Sequence, residues 1–258
     1  MEPVVLRPGE GEALFDGRIV IKASFEQLTI TESLYPDARD GASPHFHRHH
    51  ADAFYVLEGG LGVLVHDEEK LLEAGAFVCA PPEVVHGFRS TSRARFLNIH
   101  TPDGGFADNL RGRNRGEPEN FDSVDAAPGS GKLPTDAVFL PPGGGERLEN
   151  NSRIATIKVG RDEIALIEFD LSPEFDGPSA HTHDDHVDSI YVLAGEADFL
   201  VGDEWMRLGA GSFVAAPIGV MHAFTNRGPG RARLLNIHAP STGFHERLER
   251  RALRHRVG

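Results

Sequence analysis

Residues 178–195, PSAHTHDDHVDSIYVLAG, bring His181, His183 and Asp188 close together, and GSFVAAPIGVMHAF (211–224) then supplies His222. In an extended His-x-His segment both imidazoles point to the same side, because side chains alternate with period two. Three imidazoles and one carboxylate, drawn from two separate strands, form the ligand set of an open divalent-metal site. This stretch therefore predicts a metal centre.

The same pattern occurs earlier, where PHFHRHHADAFYVLEG (44–59) is followed by GAFVCAPPEVVHGF (75–88). The two copies align at an offset of 136 (181 − 45 = 136; 222 − 86 = 136), and RARFLNIHTPDGGF (93–106) repeats as RARLLNIHAPSTGF (231–244). Repetition at one register over about a hundred residues indicates a tandem duplication. The candidate ligands of the first copy are His45, His47, Asp52 and His86.

Short apolar runs separated by Gly, Pro and Asp turns recur along both halves, which predicts an all-β sandwich or barrel. Helical spacing is confined to the end of each half, FADNLRG (106–112) and FHERLERRALRHR (244–256). In the second of these, Phe244, Leu248 and Ala252 are spaced as one helix face.

The stretch between the halves is polar and rich in Gly, Pro and Asp. It is interpreted as a linker that crosses a surface with some ordered contacts. The predicted division is an N-terminal domain at 1–107, a linker at 108–135 and a C-terminal domain at 136–258.

Composition limits the possible partners. With 258 residues, 40% hydrophobic and 25% charged, the chain is globular, and its net charge of −13 argues against non-specific nucleic-acid binding. It has no apolar run of membrane-spanning length, and its first residues show neither a basic nor an apolar segment, so a secretory signal is not expected. The lone Cys79 excludes an internal disulfide, fits a reducing compartment and is interpreted as a core thiol. A cytoplasmic protein is expected.

The motifs resemble those of the cupin superfamily, and the duplication resembles a bicupin. The family's motifs are Gly-x5-His-x-His-x(3,4)-Glu-x6-Gly and Gly-x5-Pro-x-Gly-x2-His-x3-Asn. The second half matches the second motif at Gly211, Pro217, Gly219, His222 and Asn226. The first half departs from this motif, with Glu83 in the Gly position and Ser90 in the Asn position, and both halves carry Asp where the family has Glu.

The resemblance implies a double-stranded β-helix (jelly roll) in each half, with short C-terminal helices and one divalent metal ion per barrel. Imidazole and carboxylate ligands suit Fe, Mn, Ni, Co, Cu and Zn alike, so the ligand set does not identify which of these ions is bound. Asp52 and Asp188 are one methylene shorter than Glu. They bind the ion if the backbone moves inward; otherwise each accepts a hydrogen bond beside a three-histidine site or acts as a general base.

Other side chains near the motifs leave several interpretations open. His50 and His186 are candidate substitutes for the aspartates, outer hydrogen-bond partners or solvent-facing groups. The repeated LNIH segment adds His100 and His238, which are interpreted as core residues or outer hydrogen-bond partners in preference to catalytic groups. Asn98 and Asn236 are equally ambiguous. Most of the flanking apolar residues are expected in the core, with some lining the barrel mouth: Phe46, Phe54, Tyr55, Phe77, Phe88, Tyr191, Phe199, Phe213, Met221 and Phe224. Few basic residues lie near the motifs in sequence.

Within cupins, the tandem arrangement and the LNIHxP…GF ending resemble the quercetinase-type group. The leading hypothesis is a metal-dependent dioxygenase of a phenolic or flavonol-like small molecule, with Asp188 or Asp52 accepting the substrate proton. The alternatives are a non-enzymatic small-molecule-binding or sensing bicupin and a metal-assisted isomerase or decarboxylase. The second half matches the motifs better and is expected to carry the principal activity. A monomer and a homodimer both fit two cupin domains in one chain.

Overall fold

The computed structural model describes the backbone of residues 1–256 and the side chains of residues 1–250. The prediction of an all-β chain with short helices is confirmed. The elements of the first half are β1 (Val4–Leu6), β2 (Glu12–Leu14), β3 (Ile19–Phe25), β4 (Leu28–Tyr35), β5 (Arg39–Asp40), β6 (His45–Phe46), β7 (Ala51–Val65), β8 (Glu68–Glu73), β9 (Phe77–Ala80), β10 (His86–Thr101), α1 (Phe106–Asn114) and β11 (Val124–Asp125). Those of the second half are β12 (Val138–Leu140), β13 (Glu146–Glu149), β14 (Arg153–Gly160), β15 (Ala165–Leu171), β16 (Val187–Ala194), β17 (Glu196–Val201), β18 (Glu204–Gly209), β19 (Phe213–Ala216), β20 (His222–Thr225), β21 (Ala232–Ala239) and α2 (Phe244–Arg256).

The chain forms two compact units. The first unit is Gly11–Gly144, and the second unit is Met1–Glu10 together with the chain from Gly145 onward. These boundaries differ from the predicted division, because residues assigned to a linker pack as part of the first unit. Helix α1 extends to Asn114, and β11 pairs with β6 in the first unit.

Each unit is completed by a short strand from the opposite half of the sequence. In the second unit β1 pairs with β19, with Val5 opposite Val214. In the first unit β12 pairs with β9, with Phe139 opposite Val78. The paired strands lie far apart in sequence, so alternation along the chain cannot show which partner each edge strand takes.

Long bent strands close the first barrel. Its sheet runs β12-β9-β7-β10-β4-β3-β2, and β7 and β10 pair along most of their length. Gly59 lies at the bend of β7 with φ of 70°, where an added Cβ would be 1.7 Å from the Arg93 carbonyl oxygen, so only glycine fits. The second unit divides the equivalent strands into β16 and β17 and into β20 and β21, with Gly195 at the same bend.

Alternating side chains fill the inside of each barrel. The second core includes Phe169, Val192, Phe199 and Leu234, and Leu248 of α2 packs into it. Phe244 packs against the same cluster, so two of the three residues predicted for one helix face lie inward. The side chain of Ala252 lies outside the described residues. Among the described residues, neither helix is long and apolar enough to cross a lipid bilayer.

The pairing of β1 with β19 and of β12 with β9 leads to a prediction about stability. Val5 packs against the second core and Phe139 against the first. Val5→Asp is expected to cost roughly 1–2 kcal/mol, because it places a carboxylate against apolar atoms without a partner. Hydrogen exchange should then accelerate in β19, and the matched variant Phe139→Asp should accelerate exchange in β9 instead. Faster exchange in β9 for Val5→Asp would contradict the pairing.

Candidate metal centres

Strands β6, β7 and β10 build the candidate centre of the first unit. His45 pairs directly with His86 across β6 and β10, which brings the His-x-His segment against the distant third histidine. Asp52 projects from the start of β7. The candidate ligand atoms of His45, His47, Asp52 and His86 all lie within 4.8 Å of one another, and all four residues are buried. Folding thus assembles the four predicted residues into one cluster.

The second unit repeats this assembly. His181 and His222 exchange backbone hydrogen bonds of 3.0 and 2.9 Å, and the ligand atoms of His181, His183 and His222 lie within 4.8 Å of one another. Asp188 is adjacent to this trio. Its Oδ2 is 3.3 Å from His222 Nε2 and 3.8 Å from His183 Nε2. The carboxylate therefore approaches two of the three imidazoles.

The imidazoles present free Nε2 atoms toward each cluster. In four of the rings Nδ1–H donates to a backbone carbonyl oxygen two residues earlier: His45 to Ser43 (2.8 Å), His86 to Val84 (2.9 Å), His181 to Ser179 (2.9 Å) and His222 to Val220 (2.9 Å). This bond places the proton on Nδ1 and leaves the Nε2 lone pair available.

Several of these Nε2 atoms are buried without any hydrogen-bond partner within the described residues: His47, His86, His183 and His222. A buried polar atom without a partner is costly, and a metal ion would satisfy it. Burial, with smaller contributions from His86 and His47, lowers the pKa of His45 to about 4, so this ring is neutral at pH 7. The residues present fit a divalent transition metal.

The two aspartates share one hydrogen-bond arrangement. Oδ1 of Asp188 accepts a 2.5 Å bond from Asn236 Nδ2, and Oδ1 of Asp52 accepts a short bond from Asn98 Nδ2. In the first unit Oδ2 of Asp52 lies 3.2 Å from His86 Nε2. One oxygen of each carboxylate is thus occupied by an amide, and the other faces the imidazoles.

Both aspartates are ionised. Burial raises the pKa of Asp52, but neighbouring His100, His47 and His86 outweigh burial and hold this pKa well below its usual range. The pKa of Asp188 is lowered in the same way, with His238, His183 and His222 opposing burial. An ionised carboxylate is the form that binds a metal ion. We continue to predict that each aspartate either binds the metal ion directly or accepts a proton from the substrate.

A second layer of histidines lies behind each cluster. His50 and His186 are almost fully buried, which excludes the solvent-facing alternative. Their rings stack on His47 and His183 at centroid distances of 3.9 and 3.8 Å. The recurrence of both histidines at the same offset was the sequence signal for these positions. Their burial and their stacking partners follow only from the fold.

His100 and His238 belong to the same layer and are also buried. Each donates from Nε2 to the amide oxygen of the nearby asparagine, at 3.2 Å to Asn98 and 3.0 Å to Asn236. A phenylalanine from the helix covers each ring, Phe106 on His100 and Phe244 on His238. The ambiguous LNIH residues are therefore outer partners of the two aspartates.

A segment that we call the strap, residues 117–127, covers the centre of the first unit. The Asp122 carbonyl oxygen accepts a 2.5 Å bond from His47 Nδ1, and Val124 and Asp125 pair with Phe46 and His45. The strap falls within the predicted linker. In the part of the chain that the structure describes, no equivalent segment covers His183, and His181 is partly exposed whereas His45 is buried.

Comparison with known proteins decides the family. A family model described as a cupin domain matches residues 32–100 and 167–238, more than half of the chain, once in each unit. The chain belongs to the cupin family. The predicted resemblance to a tandem cupin is thereby confirmed.

A curated relative of this cupin carries the name of an enzyme. Over 96 residues the chain is 34% identical to quercetin 2,3-dioxygenase of Bacillus subtilis (strain 168), a match that covers 35% of this chain and 28% of that enzyme. The chain therefore matches under a third of the length of this curated relative.

Solved structures share the fold at low sequence identity. Oxalate decarboxylase from Bacillus subtilis superposes with a TM-score of 0.57 at 19% identity, covering 84% of this chain and 69% of that one. Protein Ylba from E. coli gives 0.66 at 11% identity, covering 93% and 91%. A Pseudomonas aeruginosa protein described as glyoxylate-induced gives a TM-score of 0.63 at 17% identity, covering 85% of this chain and 80% of that one. These likenesses show the fold.

The two cupin units enclose different cavities. The cavity at the first centre has a volume of about 340 Å³, and the one at the second has about 650 Å³. Of the predicted aromatic residues, Phe88 lines the first cavity and Phe224 the second, whereas most of the others are core. Further phenylalanine residues contribute to the walls: Phe15, Phe96, Phe106 and Phe121 in the first cavity, and Phe169, Phe175 and Phe244 in the second.

Basic residues also reach both cavities. Arg18 and Arg113 line the first, and Arg153 and Arg247 line the second, although each lies well away from the histidine motifs in sequence. Few basic residues therefore lie near the motifs in sequence, but in the folded protein arginine side chains lie close to both centres. In the first cavity Glu119 and Asp125 of the strap are present with the arginines, so the second cavity is the more cationic of the two.

Proposed function

We propose that this cupin is a metal-dependent dioxygenase of a phenolic or flavonol-like small molecule, with its principal site in the second unit. The observation that carries the proposal is the setting of the second histidine cluster. His181, His183 and Asp188 line a cavity of about 650 Å³ whose walls include four phenylalanine rings. A cavity of this size and lining suits a planar aromatic ligand. The similarity to quercetin 2,3-dioxygenase supports the same substrate class.

The protein's own residues would divide the work as follows. His181, His183 and His222 would hold a divalent ion, with Asp188 as fourth ligand or as acceptor of the substrate's phenolic proton. The ion, when bound, supplies Lewis acidity and open coordination positions. Phe169, Phe175, Phe224 and Phe244 would hold the aromatic ring and keep bulk water away from the reacting atoms. Arg153 and Arg247 at the cavity favour a ligand that carries negative charge.

The first unit is proposed to hold its ion without turning over a large substrate. Its four candidate ligand residues are at most 8% exposed, and the strap covers them. The cavity beside them has about half the volume of the second. A buried, covered centre restricts the approach of a ligand to the open positions of the ion.

Oxygen consumption tests the proposal. Metal-free protein reloaded separately with Fe²⁺, Mn²⁺, Ni²⁺, Co²⁺, Cu²⁺ or Zn²⁺ should consume O₂ with quercetin or a catechol for at least one ion. Elemental analysis before chelation should show up to one ion per unit. Absence of O₂ uptake with every ion and substrate would contradict the proposal. Product formation without O₂ would indicate a decarboxylase or isomerase, and saturable binding without product would indicate a binding protein.

A further inference from the structure

A chain of polar side chains leads outward from the second candidate centre. Asn236 Nδ2 donates to Asp188 Oδ1 at 2.5 Å, and His238 Nε2 donates to Asn236 Oδ1 at 3.0 Å. His238 Nδ1 and His186 Nε2 are 2.9 Å apart, and His186 Nδ1 lies 2.6 Å from Asp185 Oδ1. All but Asp185 are at most 5% exposed. The chain thus connects a buried carboxylate to one at the surface.

The hydrogen-bond partners of Asn236 fix the orientation of its side-chain amide. Asn236 also donates from Nδ2 to the Ser189 carbonyl oxygen, so its NH₂ group faces two acceptors. A flipped amide would point its oxygen at the Asp188 carboxylate and its NH₂ group at the N–H of His238. Both contacts would be repulsive. His238 therefore locks the asparagine in the orientation that occupies Asp188 Oδ1.

The first unit repeats the inner part of this arrangement, but within the described residues no hydrogen bond joins His100 to His50. Asn98 donates to Asp52 Oδ1, and His100 donates to Asn98 Oδ1. The sequence position equivalent to Asp185 is His49, so duplication alone would have left this chain without its outer carboxylate. Asp122 of the strap lies there instead, with Oδ2 3.6 Å from His50 Nδ1. Two non-equivalent residues thus place a carboxylate at the same end.

We propose that Asn236 and His238 are positioning residues for the second metal centre, with His186 and Asp185 holding His238 in turn. They keep Asp188 Oδ1 engaged, so that only Oδ2 faces His183 and His222. Asn98 and His100 do the same for Asp52. The proposal rests on the proposed metal centre and does not depend on the proposed substrate. If these side chains had only a structural role, replacing them would change the stability of the protein and would leave its affinity for metal unchanged.

Cobalt binding tests the proposal without a substrate. The full chain carrying His86→Ala reports mainly the second centre, and Co²⁺ titration gives both affinity and the visible absorption bands that depend on coordination. His238→Phe keeps a ring against Phe244 and removes both hydrogen bonds. It is expected to weaken Co²⁺ binding by about 10–100-fold and to change the absorption bands. His238→Gln retains a donor for Asn236 and should recover most of the affinity.

A surface variant keeps the test valid if His238→Phe does not fold. Asp185→Asn changes an exposed carboxylate and should weaken Co²⁺ binding several-fold, whereas Asp184→Asn, its exposed neighbour, should leave binding unchanged. Folded His238→Phe or Asp185→Asn protein with the parent's affinity and bands would overturn the positioning role. If the His86→Ala parent itself binds no Co²⁺, the metal centre fails as well. Lack of dioxygenase activity alone would leave this inference standing.

Discussion

His222→Ala is expected to reduce turnover by at least about 100-fold, a larger loss than His86→Ala causes. Even the outer hydrogen-bond partners of a metal ligand contribute about 10–100-fold, so the ligand itself should contribute at least the upper end of that range. His222 belongs to the cluster that opens into the larger cavity. His86 belongs to the cluster that the strap covers.

Metal content and steady-state rates check this prediction together. Each variant should lose about one ion per chain by elemental analysis, because each removes one ligand from one cluster. Turnover should then fall mainly for His222→Ala. Equal rate losses, or a greater loss for His86→Ala, would reverse the assignment of the principal site. Circular dichroism of both variants controls for misfolding.

Glu168→Ala is expected to lower the free energy of unfolding by about 3–5 kcal/mol, because it removes a carboxylate that contacts the buried ammonium group of Lys158. Lys158 has a fully buried side chain, and its Nζ lies 3.1 Å from Glu168 Oε2. Arg233 also bonds Glu168. Chemical denaturation of the wild type and the variant measures the difference. Replacing the cation too, in Glu168→Ala/Lys158→Met, should recover much of the loss.

The control lies on the same strand. Asp170 pairs with Arg231 at the surface, where both side chains are at least 33% exposed, so Asp170→Ala should cost at most about 1 kcal/mol. A similar loss for both variants would show that the burial of Lys158 is not the cause. The equivalent pair in the first unit, Lys22 and Glu32, is also 3.1 Å apart and should behave like Lys158 and Glu168.

The buried pair of Lys158 and Glu168 also predicts that the free energy of unfolding depends on pH. Burial raises the pKa of Glu168, but Arg233 and Lys158 outweigh it and hold the pKa below its usual value of 4.5. The stabilisation is therefore present above pH 4.5 and is lost as the pH falls through the lower, folded-state value. Unfolding measured between neutral and acidic pH should show a smaller difference between wild type and Glu168→Ala at the acidic end.

Much of the candidate site follows from local spacing. The His-x-His pair and the aspartate lie on one short stretch of chain. The two imidazoles point to the same side because side chains alternate along an extended backbone. His86 and His222 were identifiable because the repeat supplied the same distant histidine twice. The outer histidines and asparagines repeated as well, but nothing in the spacing distinguished a core position from one beside the aspartate.

The sequence by itself determined the duplication, the all-β class and the eight candidate ligands, because each depends on residue type and near spacing. Only the tertiary structure decided that β1 and β12 complete opposite units, that the strap covers the first centre and that arginines reach both cavities. These features join residues far apart in the chain, such as Asp122 with His47 and Val5 with Val214. Such pairs are selected by packing and hydrogen bonding across the barrels, which spacing along one strand does not encode.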